Sequence, residues 1–477
     1  MPFNSIAFAG FLPAAFFVYW SLRRAPLWVR NLFLVAAGSL FYGWLDPRFL
    51  PLVFAGSAVD YFVGILLGKG GGPTRRRLLL AASLAVNLGM LGWFKYHDFF
   101  VTSFCDLLRL AGLRASPRIL GLVLPAGISF YTFQRLTYTI DVYRGDMQPT
   151  RNAPAFFAFV LFFPQLLAGP ITRARSLLPQ FEQGRSFSDP AARDGLRQML
   201  NGFLKKMVIA DNLAPLVNGI FDGYRDCGGL TLLVGAFFFA MQVYCDFSGY
   251  SDMAIGAARL FGIDLARNFA YPYFSRDVAE FWRRWHISLS NWLREYLYPP
   301  LCGRKPSRWR RALGIVVLFV LCGLWHGASW TYVAWGFLWG LWFLPMTLAR
   351  RWRRHLGTAG EGRMLPGIRE ALAMSGTFGL ALVGWIFFRS PTIADAAGYL
   401  AGMVSRPCLG TEVSLWVPML LACTGLLALE WVQRGRRFLL DIGNLPVWLR
   451  WPLYQVALFL ILVFGAFGGN EFIYTQF

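Results

Sequence analysis

A neutral imidazole held away from water can take a proton from a hydroxyl as that hydroxyl attacks a thioester, and this chain of 477 residues has only four histidines. His97 and His355 fall in loops, His355 within a run of arginines, and both read as surface residues. His326 differs. It stands in Cys322-Gly-Leu-Trp-His-Gly-Ala-Ser-Trp330, between two apolar segments whose far ends, Arg311 and Arg350, are basic. These arms of about 14 and 19 residues make roughly 21 and 28 Å of helix, so the ring belongs at the apex of a hairpin, between mid-membrane and the outer half of a bilayer. Gly323 and Gly327 allow backbone or ligand to approach closely, and Trp325 and Trp330 can wall a narrow cavity. A structural histidine bonded to a helix carbonyl would fit the same place, and these residues alone leave both readings open.

His286 lies in Phe281-Trp-Arg-Arg-Trp-His-Ile-Ser-Leu-Ser-Asn-Trp292, where a headgroup-facing ring and a catalytic one suit the context equally. The carboxylates in the most apolar or aromatic settings are Asp246, Asp252 and Glu280. Asp246 could orient an imidazole, and a cap or a polar contact between helices would use it as well. HExxH, Walker, GxGxxG and GxSxG motifs are missing, which counts against metalloprotease, nucleotide-driven pump, dinucleotide enzyme and ordinary serine hydrolase. The seven cysteines form no CxxC pair and are odd in number, so neither a disulfide framework nor a metal site is expected.

The elements that must position these side chains are membrane helices. Hydrophobic residues make up 56% of the chain and charged ones 15%, too little polar surface to cover a soluble globule. Apolar runs long enough to cross a bilayer recur near 5–22, 31–45, 49–67, 78–94, 119–140, 153–169, 230–246, 312–325, 331–349, 372–388, 413–431 and 451–468. The expected fold is therefore all-α and polytopic, about 11–13 membrane helices in a single domain over 1–477. Residues 196–221 mix Lys205, Lys206 and Asp211 with apolar residues and suit a tilted or interfacial helix. Residues 264–311 combine ten basic side chains with many aromatic ones, a composition for a layer at headgroup level on the cytoplasmic side.

A net charge of +21 would suggest nucleic acid only if the basic residues shared one soluble face. Instead they sit in short loops. Arg23, Arg24 and Arg30 fill the first, Lys69 and Arg75 to Arg77 the third, while the second, around Asp46-Pro47-Arg48, is nearly free of positive charge. The partner implied is a lipid bilayer, with no nucleic acid, and the N-terminus belongs outside the cytoplasm. Met1 to Trp20 lacks a positive leader and a small-residue cleavage site and reads as a retained span. The last span then runs outward and leaves residues 470–477 on the far face.

These residues resemble the membrane-bound O-acyltransferase (MBOAT) family, in particular its alginate O-acetyltransferase and D-alanyl-teichoic-acid transfer branch. The resemblance runs end to end and is densest in FFPQLLAGPI from Phe162, DFSGYSDMAIG from Asp246, NFAYPYFSRDVAEFWRRWHISLSNWLREYLYPPL from Asn268, and GLWHGASW from Gly323. It implies a helical dome around a central tunnel, with His326 the catalytic residue at its waist and His286 the second signature histidine. It also implies an acyl group taken from a cytoplasmic thioester, acetyl-CoA being the usual proposal with no tightly bound cofactor, and delivered across a bacterial inner membrane. The ultimate acceptor would be an exported polysaccharide such as alginate. Phe472-Ile-Tyr-Thr-Gln-Phe477 looks like the branch's C-terminal F-x-Y-x-x-F motif, whose tyrosine, here Tyr474, is proposed as a transient acyl carrier. Such a tyrosine would attack the thioester while His326 takes its proton; an aromatic anchor ending the last span is the plainer reading. No serine-hydrolase site is recognisable, so an exported, periplasmic acetyltransferase partner is implied for the final transfer.

Two other functions remain in view. D-alanyl transfer to teichoic acid would replace coenzyme A by a carrier protein. A polysaccharide or lipid transporter would use the same buried polar residues for alternating access, and calls for inverted repeats that the sequence does not show.

Overall fold

The computed structural model describes residues 1–303, 306–349, 354–407 and 413–467, which form helices and, among those residues, no strand. Among the described residues seven helices are long and apolar enough to cross a membrane: Ile6–Arg24, Pro47–Gly68, Pro73–Leu110, Gly229–Leu260, Arg308–His326, Ile368–Arg389 and Val447–Phe464. Leu27–Gly43 is a shorter apolar helix, and Val413–Val432 is a further apolar helix of 20 residues. This is the all-α architecture of a multi-pass membrane protein. The contacts divide it into two compact units, one holding most of residues 3–192 with 257–266, the other 193–256 with 267–477.

In the first unit, local chemistry marks the helix ends. Ser5 accepts from the Phe8 amide and Asp46 from the Arg48 amide, while proline opens the helices at Pro47 and Pro73, where a missing N–H costs nothing. Helix Ile128–Arg144 is central, buried along nearly its whole length, and packs on Leu50–Gly68 and Pro73–Leu91. The expected span at 119–140 starts late because Pro117, Pro125 and Gly127, which has φ +73°, keep the preceding chain out of helix. The run at 153–169 is likewise broken, into Ala153–Leu161 and Phe163–Leu166 around Pro164.

The second unit carries both candidate histidines. Residues 193–222 form helix interrupted by a π-turn at Leu204–Ala210, and the charges that suggested an interfacial element are internal. Lys206 Nζ lies 2.8 Å from Asp211 and 2.7 Å from Asp246, and Lys205 Nζ lies 2.7 Å from Glu430. Each of these charges therefore meets an opposite one inside the protein, the condition under which buried charges persist. Beyond helix Gly229–Leu260, residues 268–302 fold into short helical pieces, and the chain then forms the hairpin Arg308–His326 and Trp330–Leu348.

Candidate functional site

The hairpin closes through small residues. A β-carbon at Gly323 would lie 2.1 Å from the Tyr332 carbonyl oxygen, and one at Gly336 would lie 2.2 Å from that of Phe319, so no larger residue fits this seam. The close approach that Gly323 and Gly327 suggested is thus made by the protein itself: Gly327 lies under the Tyr332 ring. His326 is the last residue of the first arm, and Ser329 caps the second by accepting from the Thr331 amide. The imidazole is only 3% exposed and meets aromatic edges on three sides, with ring centroids 4.9 Å from Trp325, 5.0 Å from Trp335 and 5.4 Å from Phe388.

Phe388 comes from helix Ile368–Arg389, which also supplies Trp385 to the same cluster. Trp285 packs on Trp385, and Phe281 and Trp282 of Val278–Arg284 pack on Trp339. A neighbourhood of this kind removes bulk water and strengthens electrostatic interactions within it. The buried indole N–H groups of Trp335, Trp339 and Trp385 have no hydrogen-bond acceptor among the described residues. Trp335 and Trp339 converge on Gly384, whose absent β-carbon would stand 3.6 and 3.1 Å from their nitrogens. Of the three, Trp335 packs directly on the imidazole, and an orphaned buried donor there is suited to a carbonyl oxygen brought by a ligand.

His286 is fully buried and lies outside the candidate spans, at the start of the short helix Ile287–Trp292. Its backbone is left-handed, φ 41°, which among the described non-glycine residues it shares only with Tyr271. Asn268 anchors this turn: its carbonyl oxygen accepts from the Ile287 amide, and its Oδ1 accepts from Ser288 Oγ at 2.6 Å and from His286 Nδ1 at 3.4 Å. Asn268 in turn donates through Nδ2 to Ser251. Burial pushes the His286 pKa down to about 3, so the ring is neutral at physiological pH. The two histidines share a neighbour, since Trp325 lies 5.9 Å from His286 and also packs on His326.

Other candidates go elsewhere. Asp246 is with Lys206, Asp252 accepts from Gln198 and Asn201, and Glu280 is clamped by Arg276 and Arg284. His97 faces Asp98, and His355 lies 3.8 Å from Asp277 in a surface loop. Tyr474 and the 470–477 tail lie outside the described residues. No group of three His, Cys, Asp or Glu side chains among the described residues could hold a metal ion. Sequence reasoning missed Asn268, Trp335, Trp339, Trp385 and Phe388, and Trp330, expected as a cavity wall, is 56% exposed. Asn268 opens a quoted motif and offered a signal, whereas the four aromatic residues sit in ordinary apolar runs.

A helical membrane protein with a histidine at a hairpin tip, enclosed by aromatic rings, now meets its relatives. Residues 148–383 match the model of the MBOAT, membrane-bound O-acyltransferase family. A probable alginate O-acetylase of Azotobacter vinelandii is 38% identical over 83% of this chain and 76% of its own length. The peptidoglycan O-acetyltransferase of Helicobacter pylori is 35% identical over 84% and 79%, and a teichoic acid D-alanyltransferase of Streptococcus thermophilus is 26% identical over 61% and 75%. The chain belongs to the membrane-bound O-acyltransferase family and is an O-acyltransferase. Its similarity to proteins named O-acetylase and O-acetyltransferase makes it, more narrowly, a membrane O-acetyltransferase.

Proposed function

We propose that this protein takes an acetyl group from a cytoplasmic thioester, acetyl-CoA, and relays it across the bacterial inner membrane for O-acetylation of an exported polysaccharide such as alginate. The observation that carries the reading is the enclosure of His326 by Trp325, Trp335 and Phe388, together with its relatives' acetyl-transferring names. In the proposed reaction a hydroxyl oxygen attacks the thioester carbonyl carbon, His326 removes the hydroxyl proton, the C–S bond breaks, and the proton passes to the departing thiolate. The indole N–H groups of Trp335 and Trp339 hydrogen-bond the carbonyl oxygen as negative charge builds on it. Neutral His286, tied to Asn268, positions Trp325 against His326 and is not the base, because a ring with a pKa near 3 accepts a proton poorly at neutral pH.

Tyr474 supplies the first hydroxyl in this scheme, and an exported partner enzyme receives the acetyl group on the far side, where both termini lie. Deleting the gene and analysing acyl esters on envelope polymers tests the reading. Loss of acetate from one exported polymer supports it. Loss of D-alanine in its place, or a change in polymer export with acylation intact, overturns it in favour of teichoic-acid transfer or of transport.

A further inference from the structure

Within the second unit a cavity of about 350 Å³ opens to solvent, lined among others by Arg276, Arg354, His355, Gly357, Arg363 and Glu370. Its size falls in the range of small-ligand sites. Its lining holds three arginines against two carboxylates, Glu361 and Glu370. Arg276 is held by Glu280 and Glu370, both at 3.0 Å, whereas the exposed side chains of Arg354 and Arg363 form no ion pair among the described residues, with Glu361 or any other carboxylate.

The loop that carries them is pinned. Arg283 Nη2 donates to the His355 carbonyl at 2.6 Å, Arg276 and Arg284 donate to that of Gly357 at 2.8 and 3.1 Å, and Arg434 donates to Ala359 at 2.8 Å and Gly360 at 2.7 Å. Gly360, at φ +61°, is required at the turn, since a β-carbon there would lie 3.0 Å from the Trp431 ring. Four arginines thus hold the backbone of a concave loop whose cavity two more, Arg354 and Arg363, line with exposed side chains. Rigid guanidinium forks in a concave, wet site match phosphate esters in geometry and charge.

The position of the cavity links it to the acyl site. Helix Val278–Arg284 sends Arg283 and Arg284 to this loop, while its Phe281 and Trp282 pack on Trp339, and Trp282 also packs on Trp335 beside His326. One two-turn helix therefore joins the loop of this cavity to the aromatic cluster beside His326. We propose that this cavity binds the phosphate-ester end of the thioester donor, through Arg354 and Arg363, and so aims the thioester at the aromatic enclosure. The inference rests on the reading that a soluble coenzyme A thioester is the donor. The same chemistry could be offered by an anionic phospholipid headgroup, because Leu356, Met364, Leu365 and Ile368 are exposed along the same loop and into the next helix.

The test uses the full-length purified protein in zwitterionic lipid and measures equilibrium binding of coenzyme A and of S-acetyl-N-acetylcysteamine, a thioester without phosphate. The variants are Arg354→Gln, Arg363→Gln and the double change, with Arg77→Gln as a control that removes a basic charge elsewhere. We expect coenzyme A affinity to fall about tenfold for each lost guanidinium, as for charge-assisted hydrogen bonds, with the truncated thioester and the control unaffected. Unchanged coenzyme A affinity in the double variant overturns the assignment. It is also overturned if phosphatidylglycerol vesicles bind in an Arg354- and Arg363-dependent way while coenzyme A does not. If wild-type protein binds no coenzyme A but transfers from a carrier-protein thioester, the donor reading has failed first, and that result is distinct from the other two.

Discussion

Two buried regions place polar groups where lipid or protein surrounds them, and they do so in opposite styles. In the first unit Asp60 accepts hydrogen bonds from Ser83, Asn87 and Thr139 and stands 3.6 Å from Arg135, all inside the protein. These partners lie on two helices, Pro73–Leu91 and Ile128–Arg144, and the charge on Leu50–Gly68 serves to join all three. In the second unit His326 is met by aromatic rings, one of which, Trp335, has an indole donor with no acceptor among the described residues, and His286 starts its helix from a left-handed backbone. A polar group inside a membrane protein is thus not by itself a mark of catalysis. Arg135 Nε and Nη2 also lack a hydrogen-bond acceptor among the described residues, so leftover donors alone do not separate the two regions. What does is that Arg135 faces a carboxylate 3.6 Å away, whereas the Trp335 N–H beside His326 faces no counter-charge among the described residues.

This contrast can be broken most directly at His326. Changing it to alanine should lower polymer acetylation by at least about 10²–10⁴-fold, the contribution of a positioned base, with melting temperature and membrane insertion little altered; unchanged acetate would make the ring structural. The converse holds for Asp60→Asn, which leaves Arg135 buried without its counter-charge. It should cost about 3–5 kcal/mol in stability, read as a lower melting temperature and yield, while the specific activity of the folded fraction stays near wild type. A variant that melts normally but cannot acetylate would move Asp60 into the machinery. Trp335→Phe keeps the ring beside His326 and removes one N–H. About tenfold lower kcat at similar donor affinity is expected, and wild-type kcat would show that the indole donors have no role at the reacting oxygen.

The smallest expected effect concerns acid. His286 has its folded pKa depressed by burial to about 3, so the unfolded chain binds the proton more readily between the ordinary value near 6.5 and that point. Its contribution to stability is whole above about pH 6.5 and is lost as pH falls toward 3. Melting temperature measured across that window should fall less steeply for His286→Gln than for wild type. Equal slopes would mean that the ring is already charged when folded.

Much of this was legible in the residues, and for identifiable reasons. The hairpin tip at His326 followed from two apolar arms with basic ends, because helix length and charge placement are local properties. The interfacial reading of 196–221 missed because a mixed helix looks the same whether its lysines meet water or buried carboxylates, and Glu430 and Asp246 are far away in sequence. Asp60 and Arg135 lay unremarked within apolar runs for the same reason.

Composition, span length and loop charge by themselves determined that this is a polytopic membrane protein, and the resemblance carried by the two histidine motifs pointed to an O-acyltransferase and to which histidines to examine. Only tertiary structure decided who faces them: Phe388 and Trp385 beside the His326 hairpin, Asn268 against His286, Asp60 against Arg135. The physical reason is that periodicity records which groups avoid water, while partnership depends on helices brought together from distant parts of the chain.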